Sequence, residues 1–164
     1  MAINAALTGH LVFSTLHTND SASAFTRLLD MGMEAYLVSS SVIAVMAQRL
    51  VRVICPRCKA PHQPGADERA TLGDRLRADA VLYRGAGCEH CVSSGYFGRS
   101  GIAELLTVDD ETREQIMNHL AANLIKQAAV RKGMTTLRDD GIAKVLAGET
   151  TLDEVLRVTQ DDVL

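Results

Sequence analysis

The sequence predicts an α/β fold that runs into a metal-pinned, irregular middle segment and ends in a strand followed by helices. Three observations carry this reading. The β-prone runs "HLVFST", "RLVRVI" and "GIAELLTV" alternate with helical patterns. All four cysteines fall in two C-x2-C pairs, and Pro56, Pro61 and Pro64 crowd beside the first pair. The last third carries helix start and stop signals at regular intervals. Three regions follow: residues 1–54 as the α/β portion, 55–100 as a tetracysteine zinc subdomain, and 101–164 as a C-terminal strand and helical subdomain.

In chain order, "AALTG" reads as a helix end with Gly9 at its exit. "HLVFST" follows as a short buried strand, and "LHTND" as a polar loop. "SASAFTRLLDMG" reads as a helix with Phe25, Leu28 and Leu29 on one face and Gly32 as its stop. "EAYLVSSSVIAVMAQ" reads as a second, largely buried helix before the strand "RLVRVI". A short helix is expected in "ADERATLGDRLRAD". Beyond the strand "GIAELLTV", Asp109 and Asp110 open "ETREQIMNHL". "ANLIKQAAVRKG" stops at Gly133 and "TTLRDDGIAKVLAG" at Gly148. Thr151 and Glu154 form a T-x-x-E capping box before "VLRVT".

Composition narrows the class. A hydrophobic fraction of 47% and a charged fraction of 23% suit a packed globular core, here built without tryptophan from aliphatic residues, alanine and methionine. No apolar run approaches the roughly 18 residues of a membrane span, and "MAINAALTGH" lacks the layout of a secretory signal, so a cytosolic location without direct membrane insertion is expected. Net charge is −3 and unevenly spread: residues 101–164 hold seven basic and twelve acidic side chains. That acidic end argues against nucleic acid, which demands a basic footprint.

The cysteine spacing is C-x2-C-x29-C-x2-C, formed by Cys55, Cys58, Cys88 and Cys91. Two residues between cysteines let both sulfurs of a tight turn face one ion, and two such turns complete a tetrahedral zinc site. The long intervening loop adds little entropy cost, because closure entropy grows logarithmically. Disulfides are disfavoured under cytosolic reductant, and a thioredoxin-like redox pair needs one C-x-x-C rather than two. An iron–sulfur cluster stays open at this point. Four thiolates leave no vacant position for water, so the ion is expected to be structural rather than catalytic. His62 and His90, near and within the pairs, are spare ligands.

"HLVFSTLHTND" places His10 before the expected strand and His17 after it. Seven extended residues span roughly 23 Å, so the two histidines do not share one compact site unless the chain bends. Each can be a surface or capping residue. The alternative draws on location, because ligands of open α/β sheets bind beyond the carboxyl ends of strands. Thr15, His17, Thr18 and Asn19 would then gather hydrogen-bonding groups there, and protonated imidazole adds charge for a phosphate. Ser39, Ser40 and Ser41 read as packing positions with back-bonded hydroxyls rather than nucleophiles. Gln48, Arg49 and Arg52 lie beside the cysteine region, either solvated or turned to phosphate or an acidic partner surface.

Together "LTGHLVFSTLHTNDSASAFTRLLDMG", "AQRLVRVICPRC" and "GCEHCVSSGYFGRSGIAELL" resemble the C-terminal half of the type II secretion and type IV pilus assembly ATPases. The resemblance covers nearly the whole chain, and the tetracysteine element points to the secretion and pilus-extension branch. It implies the C-terminal part of a RecA-like P-loop NTPase sheet, a small zinc-binding subdomain and a C-terminal helical bundle. It further implies a homo-hexameric ATPase in the full-length protein, using ATP and Mg²⁺. That motor would sit at the cytoplasmic face of the inner membrane through platform proteins and drive pilus or pseudopilus assembly. "TGHLVFSTLHTN" matches the family's histidine box. His10 and His17 carry over as its two histidines, with Thr15 and Asn19 beside them and His17 as the γ-phosphate sensor. Cys55, Cys58, Cys88 and Cys91 match its metal motif.

One departure stands out. No G-x-x-x-x-G-K-S/T occurs, and none of Lys59, Lys126, Lys132 and Lys144 has such a setting. The acidic segments that hold Mg²⁺ in the family would precede residue 1. The chain is therefore expected to be a fragment that does not hydrolyse ATP alone. A stand-alone zinc-containing adaptor for a protein partner is the competing reading, and a nucleic-acid-binding zinc ribbon a weaker third.

Overall fold

A computed structural model describes residues 2–77 and 79–160; Met1, Ala78 and residues 161–164 lie outside the described residues. In chain order the elements are α1 (Ala2–Leu7), α2 (Ser23–Asp30), α3 (Ala35–Ser41), β1 (Ala44–Ile54), β2 (Lys59–His62), α4 (Ala66–Leu72), β3 (Leu82–Gly85), β4 (Tyr96–Thr107), α5 (Asp110–Met117), α6 (Ala122–Arg131), α7 (Leu137–Leu146) and α8 (Leu152–Val158). Single 3₁₀ turns lie at Gly73–Arg75 and Glu89–Cys91. The mixed α/β class is as expected. β1 pairs with β4, and β2 with β3.

The chain gathers into two compact units. Among the described residues, one joins residues 2–48 to 103–136; the other joins 49–102 to 137–160. The boundary falls within both β1 and β4.

The first unit is built on Phe25, Val38, Leu106, Val108, Ile116 and Ile125, all buried, with Leu28, Leu29, Met33 and Val45 packed around them. Each large side chain so buried contributes about 1.5–3 kcal/mol relative to exposure. Here α3 packs on α1, α2 and α5, and α6 on α2 and α5. The α2 start is held by Asp20, whose Oδ1 accepts the Ser23 N–H at 2.7 Å, and Gly32 leaves the helix with φ +82°. Asp109 caps α5, accepting the Thr112 N–H at 2.9 Å and its hydroxyl at 2.8 Å.

Two local expectations fail. "HLVFST" is neither a strand nor buried: residues 10–18 have no regular structure, and Phe13 is 88% exposed. A strand exists only through ladder partners, and among the described residues neither sheet includes one for this segment. The long helix through "EAYLVSSSVIAVMAQ" stops at Ser41. The Ser40 and Ser41 hydroxyls donate back to the Tyr36 and Leu37 carbonyls at 2.6 Å each. Val42 then turns extended, and the β-branched residues beyond it lead into β1.

In the second unit, α7 and α8 pack on each other and α7 on β3, with Leu137, Ile142, Val145, Leu152 and Val155 buried. The C-terminal helices expected to form one bundle are thus shared between the units. Packing faces rather than chain proximity sort them. Thr151 caps α8 through Oγ1, which accepts the Glu154 N–H at 3.4 Å. Glu154 does not complete the capping box. Its buried carboxylate turns instead to Arg52 (Nη2 to Oε1 2.5 Å, backbone N–H to Oε2 3.1 Å) and Arg157 (Nε to Oε1 2.9 Å). Arg52 also stacks over the Tyr96 ring at 4.1 Å.

Burial works against the Glu154 charge, but hydrogen bonds from Arg157 and Arg52 outweigh it and bring its pKa down to about 2. A carboxylate held below its unfolded value of 4.5 stabilises the fold at neutral pH, and that contribution is lost as pH falls from 4.5 toward 2. Both arginines are about half exposed, so Glu154→Gln should cost only about 1–2 kcal/mol. Denaturant titrations should show this difference at pH 7 and its disappearance near pH 2.

Candidate metal centre

The four cysteine sulfurs converge. All are free thiols, and all lie within 4.8 Å of one another. Cys55 Sγ stands 3.9 Å from Cys88 Sγ, Cys58 Sγ 3.8 Å from Cys91 Sγ, and Cys88 Sγ 3.7 Å from Cys91 Sγ. A tetrahedron with metal–sulfur bonds of about 2.3 Å has edges of about 3.8 Å, so the cluster fits a single four-coordinate ion such as zinc. Disulfide bonds of about 2.05 Å are absent from the cluster, and an iron–sulfur cluster would spread its thiolates around several irons.

Backbone geometry builds this arrangement. Cys58 immediately precedes β2, and β3 ends three residues before Cys88, so the antiparallel register Lys59↔Gly85 to His62↔Leu82 brings the two turns side by side. The Ala86 N–H donates to the Cys58 carbonyl, and the Cys55 N–H to that of Gly95, both at 2.9 Å. Gly85 and Gly95 make a close backbone contact: a Cβ on Gly85 would overlap the Gly95 carbonyl, and Gly95 itself has φ +77°. After Cys91, Val92 and Ser93 both take left-handed backbone, and the Ser93 N–H returns to the Cys88 carbonyl at 2.9 Å. The 29 residues between the pairs are therefore not slack: they hold β2, α4, a 3₁₀ turn and β3.

The thiols are not equivalent. Burial opposes the Cys91 thiolate, but the N–H groups of Cys88 and Gly95, with the Cys88 and Cys58 thiols, bring its pKa down to about 6. Burial pushes Cys58 up to about 12, against the Gly87 N–H, and the neighbouring thiols add to the rise. Of these two, Cys91 is the readier to ionise. The spare histidines lie outside the cluster. His62 Nε2 pairs with Glu68 at 3.0 Å, and the His90 ring packs against Phe97 with centroids 4.1 Å apart.

The histidine-box residues are only partly brought together. His17 and Asn19 line one shallow, open hollow with Thr18, Ser23, Thr26, Arg27 and Asp30. His10 lies elsewhere, with Nδ1 3.0 Å from the Thr8 hydroxyl, and Thr15 is exposed. The residues around the hollow include a cation, a carboxylate and several hydroxyls, and polar and apolar atoms share its surface.

The family model described as "Type II/IV secretion system protein" matches residues 1–157. The chain belongs to this family. Among curated relatives, the secretion-family chain is 49% identical over 162 residues to the type II secretion system protein E of Aeromonas hydrophila, covering 99% of this chain and 32% of that protein. It is 51% identical over 161 residues to the type IV pilus assembly ATPase PilB of Thermus thermophilus, covering 97% of this chain and 18% of that one. The chain therefore spans about a third or less of these relatives. Among solved structures, the pilus retraction motor PilT with bound ADP matches with TM-score 0.60 at 21% identity, over 96% of this chain and 34% of its own. The Legionella pneumophila ATPase DotB matches with TM-score 0.57 at 20% identity, over 97% and 34%. These two establish a shared fold.

Sequence reasoning missed one cluster in the secretion-family chain. Beside the histidine loop, Lys126 lies between Asp20 and Glu104, and Glu104 in turn holds Ser21. A signal for it existed. Alternation along β4 puts Glu104 on the same face as the buried Ile102 and Leu106, and Lys126 adjoins buried Ile125 on α6.

Protein purified under reductant without chelator should carry close to one zinc per chain by elemental analysis. Cys88→Ser should drop this below one half and lower Tm by more than about 10 °C. Gly85→Ala, which leaves all four thiols in place, should also weaken metal retention.

Proposed function

We propose that this chain serves as the C-terminal part of an ATP-driven motor that powers type II protein secretion or type IV pilus assembly. The observation that carries the reading is the family match over residues 1–157 with four converged thiols in the same chain. In this reading the 164 residues contain the last portion of a RecA-like sheet, a structural zinc subdomain and C-terminal helices. Cys55, Cys58, Cys88 and Cys91 would hold zinc as a closed tetrathiolate, which supplies cross-linking and no catalysis.

The histidine loop would face nucleotide in the full-length protein. His17 is the residue assigned to sense the γ-phosphate, with Asn19 beside it. Support comes from their shared polar hollow, which also holds Arg27. His10, paired with Thr8, and Thr15 would flank the loop from outside that hollow. ATP and Mg²⁺ would be gripped by residues beyond these 164, since no G-x-x-x-x-G-K-S/T occurs among them. The full-length protein would assemble as a homo-hexamer and reach the inner membrane through platform proteins. Among the described residues, no helix is long and apolar enough to cross a membrane.

Phosphate-release assays on the 164-residue chain should show no ATP turnover above background. In the full-length protein, His17→Ala should reduce turnover by at least tenfold. Turnover by the chain alone, abolished by His17→Ala, would overturn the reading.

A further inference from the structure

Three charged side chains are taken out of water beside the histidine loop. Lys126 on α6 is 4% exposed, Glu104 on β4 is fully buried and Asp20 is 17% exposed. Lys126 Nζ stands 3.4 Å from Asp20 Oδ2 and 3.4 Å from Glu104 Oε2. Glu104 Oε1 accepts the Ser21 N–H at 3.0 Å and the Ser21 hydroxyl at 2.5 Å. Asp20 receives the Ser23 N–H on its other oxygen, and its carbonyl accepts the Thr18 hydroxyl at 3.1 Å. The loop's exit, residues 18–23, is thus clamped from two other elements across 83 and 106 positions of sequence.

Buried ion groups are a poor source of net stability, because desolvation offsets their attraction. They are directional, however, and each fixes a particular backbone register. Among the described residues, 10–18 take no regular structure, so no ladder positions His17 and Asn19. The clamp fixes the end of that stretch.

We propose that Lys126 is a positioning residue. By bridging Asp20 and Glu104 it sets the Ser21 turn and, through it, where His17 and Asn19 stand in their hollow. The functional consequence rests on the nucleotide reading given above; the positional claim does not.

The test compares wild type with Lys126→Met, Lys126→Arg, Ser21→Ala and the charge-balanced double variant Lys126→Met/Glu104→Gln. Hydrogen exchange is followed at the Ser21, Ser23 and Ala24 amides, with those of Val42 and Asn118 as references. Lys126→Met and the double variant should speed the loop amides at least tenfold while the references stay within twofold. They should also shift the His17 ring signals. Lys126→Arg should restore most of the protection, and Ser21→Ala should show a smaller effect confined to the loop. If the double variant folds and its loop amides and His17 signals match wild type, the proposal is wrong. Uniform acceleration at loop and reference amides would equally defeat it, leaving Lys126 with a structural role alone.

In the full-length protein, Lys126→Met should lower kcat for ATP with KM held within twofold, and Lys126→Arg should recover it. Failure of His17→Ala to alter turnover would remove the nucleotide reading while leaving the exchange result intact. Unchanged exchange with a damaging His17→Ala would do the reverse.

Discussion

Four sulfurs held within 4.8 Å of one another are a demanding arrangement, and much of the second unit is organised to supply it. Thiols at that separation gain little from one another, whereas one cation gives all four a common partner. Reaching that point needs both turns tight, their backbones touching at Gly85 and Gly95, and left-handed residues directly after Cys91. It also needs β2 and β3 in a single register, since a one-residue slip would turn every side chain to the opposite face. The prolines and glycines of residues 55–100 fit the tight turns and close backbone approach that bring the four cysteines together.

Charge inside the protein plays a parallel part. Each unit buries one glutamate against a cation from a distant part of the chain, and the second adds a neighbour on the same helix. Glu104 meets Lys126 in the first unit, and Glu154 meets Arg52 and Arg157 in the second. Both carboxylates also accept a backbone N–H, from Ser21 and from Arg52 respectively. A carboxylate that takes a main-chain donor and a cation together fixes the direction of a backbone segment as well as its proximity. In the second unit that segment is β1 as it approaches Cys55. In the first it is the exit of the histidine loop.

This gives the histidine loop its character. The segment before it exposes Leu11 and Phe13 and has no ladder, while the residues after it enter a packed helix through buried contacts. Polar residues at such a junction are held at one end and open to solvent at the other. The likeness to PilT and DotB at about 20% identity shows that the fold tolerates extensive change of sequence.

Short-range chemistry was readable from the residues alone. The paired cysteines announced a four-ligand site because C-x2-C geometry is local, and two copies needed only to meet. Helix ends at Gly32, Asp109 and Thr151 were legible for the same reason, since a cap involves neighbours a few positions apart. The segment "HLVFST" was not, because β-propensity states a capacity that only a neighbouring strand can realise. Nor could Glu154 be assigned its partners from a T-x-x-E pattern when two arginines, one of them 102 positions away, compete for its carboxylate. Grouping α5 and α6 with one core and α7 and α8 with another likewise depended on which apolar faces met. Interactions within a turn or two are written in residue order; those that join distant segments depend on three-dimensional packing, and no short window of sequence contains it.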